Sequence, residues 1–233
     1  DRFLEEYWLY EAVAECYLPL LRRMRGWDQD RVDWKLTLGV TPTLVAMWAD
    51  PLLRSRTARY LTERRELARS ECERTMLLPE LHSVARFHAD FYEQVWEEWT
   101  ACGGNLVRAF EAWARTGRLE LLGGPATHPL LPLLASEPAS LRAQLSLGLR
   151  EHERHFGSRP PGLWLPECAW TPALETPLIT HGVRHAVLET HGILQGSPPS
   201  PTAVFLPVRG PGGLTFLGRD PGSARQVWSR QGG

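Results

Sequence analysis

The stretch GLWLPECAW, residues 162–170, decides how the rest of the chain is read. Its first part is an apolar run of the kind that forms a buried strand, and the run leads into a carboxylate, Glu167, set between Pro166 and Cys168. Trp164 and Trp170 stand on either side. Desolvating a carboxylate at such a strand end is costly unless it has hydrogen-bond partners or a chemical task. One task suits these neighbours: a nucleophile attacking an anomeric carbon, with flat aromatic rings against the sugar. The competing structural account is a buried ion pair with an arginine.

Three further segments read as strands: WKLTLGV (34–40), RLELLGG (118–124) and RHAVLE (184–189), with GLWLPE (162–167) between the last two. Helical spacing is predicted over 3–24, over 43–74 with an interruption at Pro51, from Pro79 to Trp99, and over 105–116 and 139–156. A short helix from Thr171 to His181 is closed by Gly182. Strand, turn, helix and strand again is the rhythm of a parallel α/β architecture. Beyond Gly192 the texture turns to Pro, Gly and Ser, with β-like pieces at 203–208 and 214–218 and a strand-like run before the end. The region of about 193–228 therefore reads as an excursion from the core.

In parallel α/β folds, functional groups collect at the carboxyl ends of the strands. Here those ends supply Thr41, then Thr127 and His128, then Glu167, then Glu189 to His191. EHERH (151–155) falls one residue short of the zincin spacing and reads as a solvated helix face. His181 and His185 straddle a helix end, which argues against a shared metal site. No G-x-G-x-x-G, P-loop or G-x-S-x-G is present, and GPGG (210–213) reads as a turn between strands.

Composition narrows the partners. Hydrophobic residues make up 43% and charged residues 23% of the 233, an ordinary globular balance. The formal net charge of −1 offers no basic field to nucleic acid and no polybasic patch to a membrane. No apolar stretch approaches the roughly 20 residues of a membrane span. The four cysteines (Cys16, Cys72, Cys102, Cys168) are widely separated and form no C-x-x-C pair, so a reduced, cytoplasmic setting is expected. Ten tryptophans suit sugar rings as well as cores.

Several motifs in the right order resemble glycoside hydrolase family 57, and within it the 1,4-α-glucan branching enzymes. They are LWLPECAW, the preceding ELLGGPATHPLLPLL, the following HAVLETHGIL and LGRDPGSARQVWS, and the opening EEYWLYEAVAECYLPLL with LTLGVTPTL. The resemblance implies an α/β fold, an incomplete (β/α)7 barrel of which residues 1–233 would form a catalytic part cut at both ends. In the family a helical domain follows, and it is absent from this chain. The implied chemistry is retaining transfer from α-1,4 to α-1,6 linkage through a covalent glycosyl-enzyme, in glycogen or starch metabolism.

By the resemblance Glu167 is the nucleophile, His128 of ATH lines the −1 subsite, Arg219 of GRD contacts substrate, and Trp228 of QVWS belongs to a motif near the site. Trp164, Trp170 and His191 join them as sugar-facing candidates on their chemistry. The implied partner is an α-1,4-glucan such as amylose or a glycogen-like polymer, with no metal and no organic cofactor.

The chain departs from the family pattern in starting after a histidine-bearing first strand and ending before the acid/base aspartate. A retaining pair stands about 5 Å apart, and only one member is expected here; of Asp220, Glu175 and Glu189, none is expected to substitute. Both ends read as cut, and a barrel without its first and last strands is expected to expose sheet edges, aggregate and be inactive alone. The rival readings are an α-amylase or 4-α-glucanotransferase of the same family, a non-catalytic glucan-binding fragment, and a barrel deacetylase, whose metal-binding clusters are not visible in the sequence.

Overall fold

The computed structural model describes residues 3–228, Trp228 by its backbone alone. The chain divides into two compact units: Asp1–Leu36 with Ala46–Leu119, and Thr37–Val45 with Glu120–Gly233.

The first unit is mostly helical. Helix α1 (Leu4–Ala12) passes through a π-turn (Val13–Tyr17) into α2 (Leu18–Gln29), so the helix predicted over 3–24 continues further. It buries Leu9, Tyr10, Val13, Leu21 and Met24. Helix α3 (Pro42–Ala49), whose first half belongs to the second unit, is followed by α4 (Pro51–Arg74). Pro51 is thus a helix start: Asp50 caps α4 by accepting from the Leu53 N–H at 2.9 Å, and proline at the first position loses no helical hydrogen bond. Helices α5 (Pro79–Ala101) and α6 (Leu106–Arg115) complete this unit, and Arg65 joins α4 to α5 through Glu93 at 2.6 Å. Trp48 lies flat on Phe110, the ring centroids 5.2 Å apart.

The second unit carries the sheet. Strands β1 (Leu36–Gly39) and β2 (Leu119–Leu122) form one ladder, and a parallel bridge from Gly123 to Leu163 leads on to β3 (Gly162–Leu163). Strand β3 pairs in parallel with β4 (His185–Leu188), and β4 with β6 (Thr215–Gly218). A short antiparallel β5 (Val208–Arg209) closes that edge. Leu141, Leu145 and Leu149 of α7 (Pro138–Phe156) pack with Leu163, Ala186, Leu188 and Phe216 in one hydrophobic core. Helix α8 (Glu175–Thr180) ends as predicted at Gly182: this residue has φ +82°, its N–H reaches the Ile179 carbonyl, and Val183 N–H reaches Leu178, the hydrogen-bond pair of a Schellman cap.

Several boundaries differ from the sequence reading. Of GLWLPE only Gly162–Leu163 is strand, because Pro166 has no N–H to extend a ladder and a 3-10 turn (Pro166–Cys168) follows. Residues 215–218 are not peripheral: β6 lies beside β4 within the sheet, with GPGG turning the chain between β5 and β6. Residues 203–207 form turns, and the strand-like run near the end is helix α10 (Pro221–Trp228), capped by Asp220. A short α9 (Thr190–Leu194) follows β4 directly. Among the described residues no helix is long and apolar enough to cross a membrane.

Candidate active site

Because β3, β4 and β6 run in parallel, the residues just after them emerge along one edge of the sheet. Glu167 follows β3, Glu189 follows β4, and Arg219 follows β6. The sequence places Glu167 on a strand in an apolar setting, but the structure corrects this. Glu167 is exposed, and among the described residues it makes no hydrogen bond or ion pair, which removes the buried ion-pair account.

Its backbone explains the exposure. Glu167 (φ 56°) and Cys168 (φ 51°) are both left-handed, a conformation that L-residues other than glycine, asparagine and aspartate rarely hold and that costs of order 1–3 kcal/mol each. The surroundings impose it: Leu165, Pro166 and Cys168 are buried, and Cys168 N–H donates to the Leu165 carbonyl at 2.8 Å. The turn buries its flanks and presents the carboxylate outward.

His128 is also left-handed (φ 56°) and exposed. Its loop is fastened to α7. Ala126 N–H donates to the Gln144 carbonyl at 3.0 Å, Thr127 N–H to Gln144 Oε1 at 3.0 Å, and Gln144 Nε2 to Thr127 Oγ1 at 2.9 Å. Gly148 lets the helix come this close, since a Cβ there would stand 2.1 Å from the Gly124 carbonyl oxygen. Sequence reasoning missed Gln144 and Gly148; the one available signal was a glycine inside a helical pattern.

Arg219 donates from Nη1 to Glu189 Oε2 at 3.0 Å. The carboxyl of Glu189 is held below the usual carboxylate range, first by the Thr190 backbone N–H and then by Arg219. Burial pushes the Cys168 thiol up, with the Arg219 charge opposing this and the Glu189 and Glu167 charges adding to it.

The other carboxylates are occupied. Glu175 is buried and accepts from Gly212 N–H at 2.9 Å and Leu214 N–H at 3.3 Å. Asp220 accepts from the Ser223 N–H and hydroxyl.

The remaining candidates divide. Trp164 is half-buried beside Gly39. Trp170, partly buried, packs edge-on against Phe216 of the core, 4.6 Å between centroids, and lines a cleft of about 730 Å³ with Ile193 and Pro198. His191 is exposed on α9. The side chain of Trp228 lies outside the described residues.

Among the described residues no group of three or more His, Cys, Asp or Glu is arranged to hold a metal ion. His181 is hydrogen-bonded to Ser146 and to the Pro177 carbonyl, whereas His185 faces Glu120 at 3.5 Å. The EHERH face is not wholly solvated: His152 is buried, with Nδ1–H on the Ser158 carbonyl at 3.1 Å.

The site is thus an exposed carboxylate on a strained turn at the carboxyl edge of a parallel α/β sheet, with an arginine–glutamate pair after the neighbouring strands. Residues 2–220 match glycosyl hydrolase family 57, and the chain belongs to that family. Over 170 residues, 73% of this chain and 25% of the relative, it is 32% identical to the 1,4-alpha-glucan branching enzyme TK1436 of Thermococcus kodakarensis. The crystal structure of the alpha-amylase AmyC from Thermotoga maritima matches with a TM-score of 0.92 and 33% identity, over all of this chain and 44% of that one. The branching enzyme of Pyrococcus horikoshii matches with a TM-score of 0.87 and 28% identity, over 96% of this chain and 44% of that one. The chain thus spans less than half the length of these relatives.

Proposed function

We propose that the protein to which this chain belongs is an α-glucan branching enzyme with Glu167 as its nucleophile. The observation that carries the reading is the left-handed pair Glu167–Cys168, which holds a carboxylate in solvent, without a partner among the described residues, at the strand ends of a family 57 chain. Glu167 would displace the α-1,4-linked leaving group and hold the glycosyl chain as an ester. A 6-hydroxyl of a second glucan would then take the chain, with overall retention. Glu175, Glu189 and Asp220 are committed to other contacts, so none of the three is proposed as the acid that protonates the leaving oxygen.

His128 and Trp164 would line the sugar-binding groove, with His191 at its margin. The strands follow chain order from β1 to β4 and on to β6, which supports reading the second unit as an arc of a (β/α)7 barrel.

Likeness to AmyC favours one alternative, α-amylase hydrolysis with water as acceptor. Amylose incubated with the protein, followed by proton NMR of the linkages, separates the two: new α-1,6 signals support branching, and loss of α-1,4 signals without them supports hydrolysis. Amylose binding without turnover would leave a glucan-binding protein.

A further inference from the structure

We propose that Glu189 is a positioning residue, which clamps Arg219 at the carboxyl edge of the sheet so that its free guanidinium donors meet the hydroxyls of a glucan lying beside Glu167. The inference rests on the glucan reading above.

The register sets up the clamp. Leu188 and Gly218 are paired at the ends of β4 and β6, so Glu189 and Arg219 leave the sheet side by side. Arg219 N–H donates to the Leu188 carbonyl at 2.9 Å, and Thr190 Oγ1 donates to the Arg219 carbonyl at 2.7 Å, fixing the arginine backbone from both sides. Glu189 then fixes its head. One carboxylate oxygen takes Arg219 Nη1 at 3.0 Å and the other takes the Thr190 N–H at 3.1 Å. With both oxygens occupied, this carboxylate is unsuited to proton transfer and well suited to holding a direction.

The arginine is not consumed by the pair. A guanidinium has five N–H donors in a rigid fork. Among the described residues, the contact to Glu189 is the one side-chain hydrogen bond that Arg219 makes. Its side chain keeps 33% exposure and that of Glu189 31%, so the pair sits at the rim and not in the core. An ion pair built only for stability would gain little at such an exposed position. The same pair held rigid beside the Glu167 turn presents fixed donors to a polyol.

The test is calorimetric titration of maltoheptaose into the full chain and its Glu189→Gln, Arg219→Lys and double variants, with thermal unfolding measured on each. Glu189→Gln is expected to weaken binding about ten-fold, the loss of one charge-assisted contact, at an unchanged unfolding midpoint. The double variant is expected to bind no more weakly than Arg219→Lys alone, because the two residues act as one. Wild-type affinity in Glu189→Gln, or additive losses in the double variant, would overturn the proposal. Should Glu189→Gln fail to fold, Glu189→Asp keeps the charge and loses the reach, and wild-type affinity in that folded variant overturns the proposal equally. A wild-type chain that binds no maltoheptaose would remove the glucan reading itself, and this inference with it.

Discussion

Glu167 and Cys168 are consecutive left-handed residues with opposite surroundings: the glutamate is exposed and the cysteine buried. The pair works as a lever. Burying the thiol and the flanking Leu165 and Pro166 forces the carboxylate into solvent at the strand ends, and the backbone bears the strain. Strain of this kind persists where the surrounding structure over-determines it, which is why it accompanies function.

The lever predicts a trade of stability for activity. Glycine holds a left-handed φ without a Cβ penalty. Glu167→Gly should therefore be more stable than Glu167→Ala by about 1 kcal/mol in urea denaturation, and both should be inactive. Equal stability of the two variants would mean that residue 167 is not strained.

Gly148→Ala should destabilise the protein by about 1–3 kcal/mol. The added Cβ would meet the Gly124 carbonyl oxygen at 2.1 Å and Ala126 N at 3.0 Å, atoms that cannot swing aside as a side-chain end can. The disturbed loop carries His128, so maltoheptaose affinity should fall as well. A variant with the wild-type unfolding midpoint would contradict this account of how α7 seats the loop.

Glu175→Ala should strand the N–H groups of Gly212 and Leu214, the second of them buried. A loss of about 1–3 kcal/mol is expected in chemical denaturation. A change below about 0.5 kcal/mol would show that water replaces the carboxylate at no cost.

His152 gives a pH dependence. Burial holds its pKa below the ordinary histidine value, with the hydrogen bond to the Ser158 carbonyl opposing this. The unfolded chain therefore takes up a proton more readily than the folded one. Stability contributed by the neutral ring is present above about pH 6.5 and is lost as pH falls from there toward the lower folded pKa. The unfolding midpoint of His152→Leu should vary less across that window than that of the wild type; parallel curves would contradict the assignment.

What the sequence made legible, and what it hid, follows the range of the forces involved. The parallel α/β rhythm, the cap at Gly182 and the turn at GPGG rest on local periodicity and turn chemistry, and the structure has all three. Glu167 could be singled out because a carboxylate after an apolar run is locally anomalous. Its exposure could not, because that depends on two backbone torsions set by tertiary packing. The same limit applies to Trp170, whose surface chemistry suggests a sugar platform but whose ring is largely taken up by Phe216. Residues 215–218 look peripheral in a Pro/Gly-rich stretch; their place beside β4 is a long-range pairing that no window of sequence displays. The Glu189–Arg219 pair spans 30 positions and is equally invisible to local reading.

The central claim, Glu167 as nucleophile, is tested most directly by trapping. The protein would be incubated with a fluorinated α-glucosyl fluoride that forms a slowly hydrolysed ester, then digested and analysed by mass spectrometry. The account predicts one glycosyl unit on Glu167, absent in Glu167→Gln, whose turnover of amylose should fall on the order of 10⁴-fold. A label on another carboxylate, or turnover that survives Glu167→Gln, would contradict it.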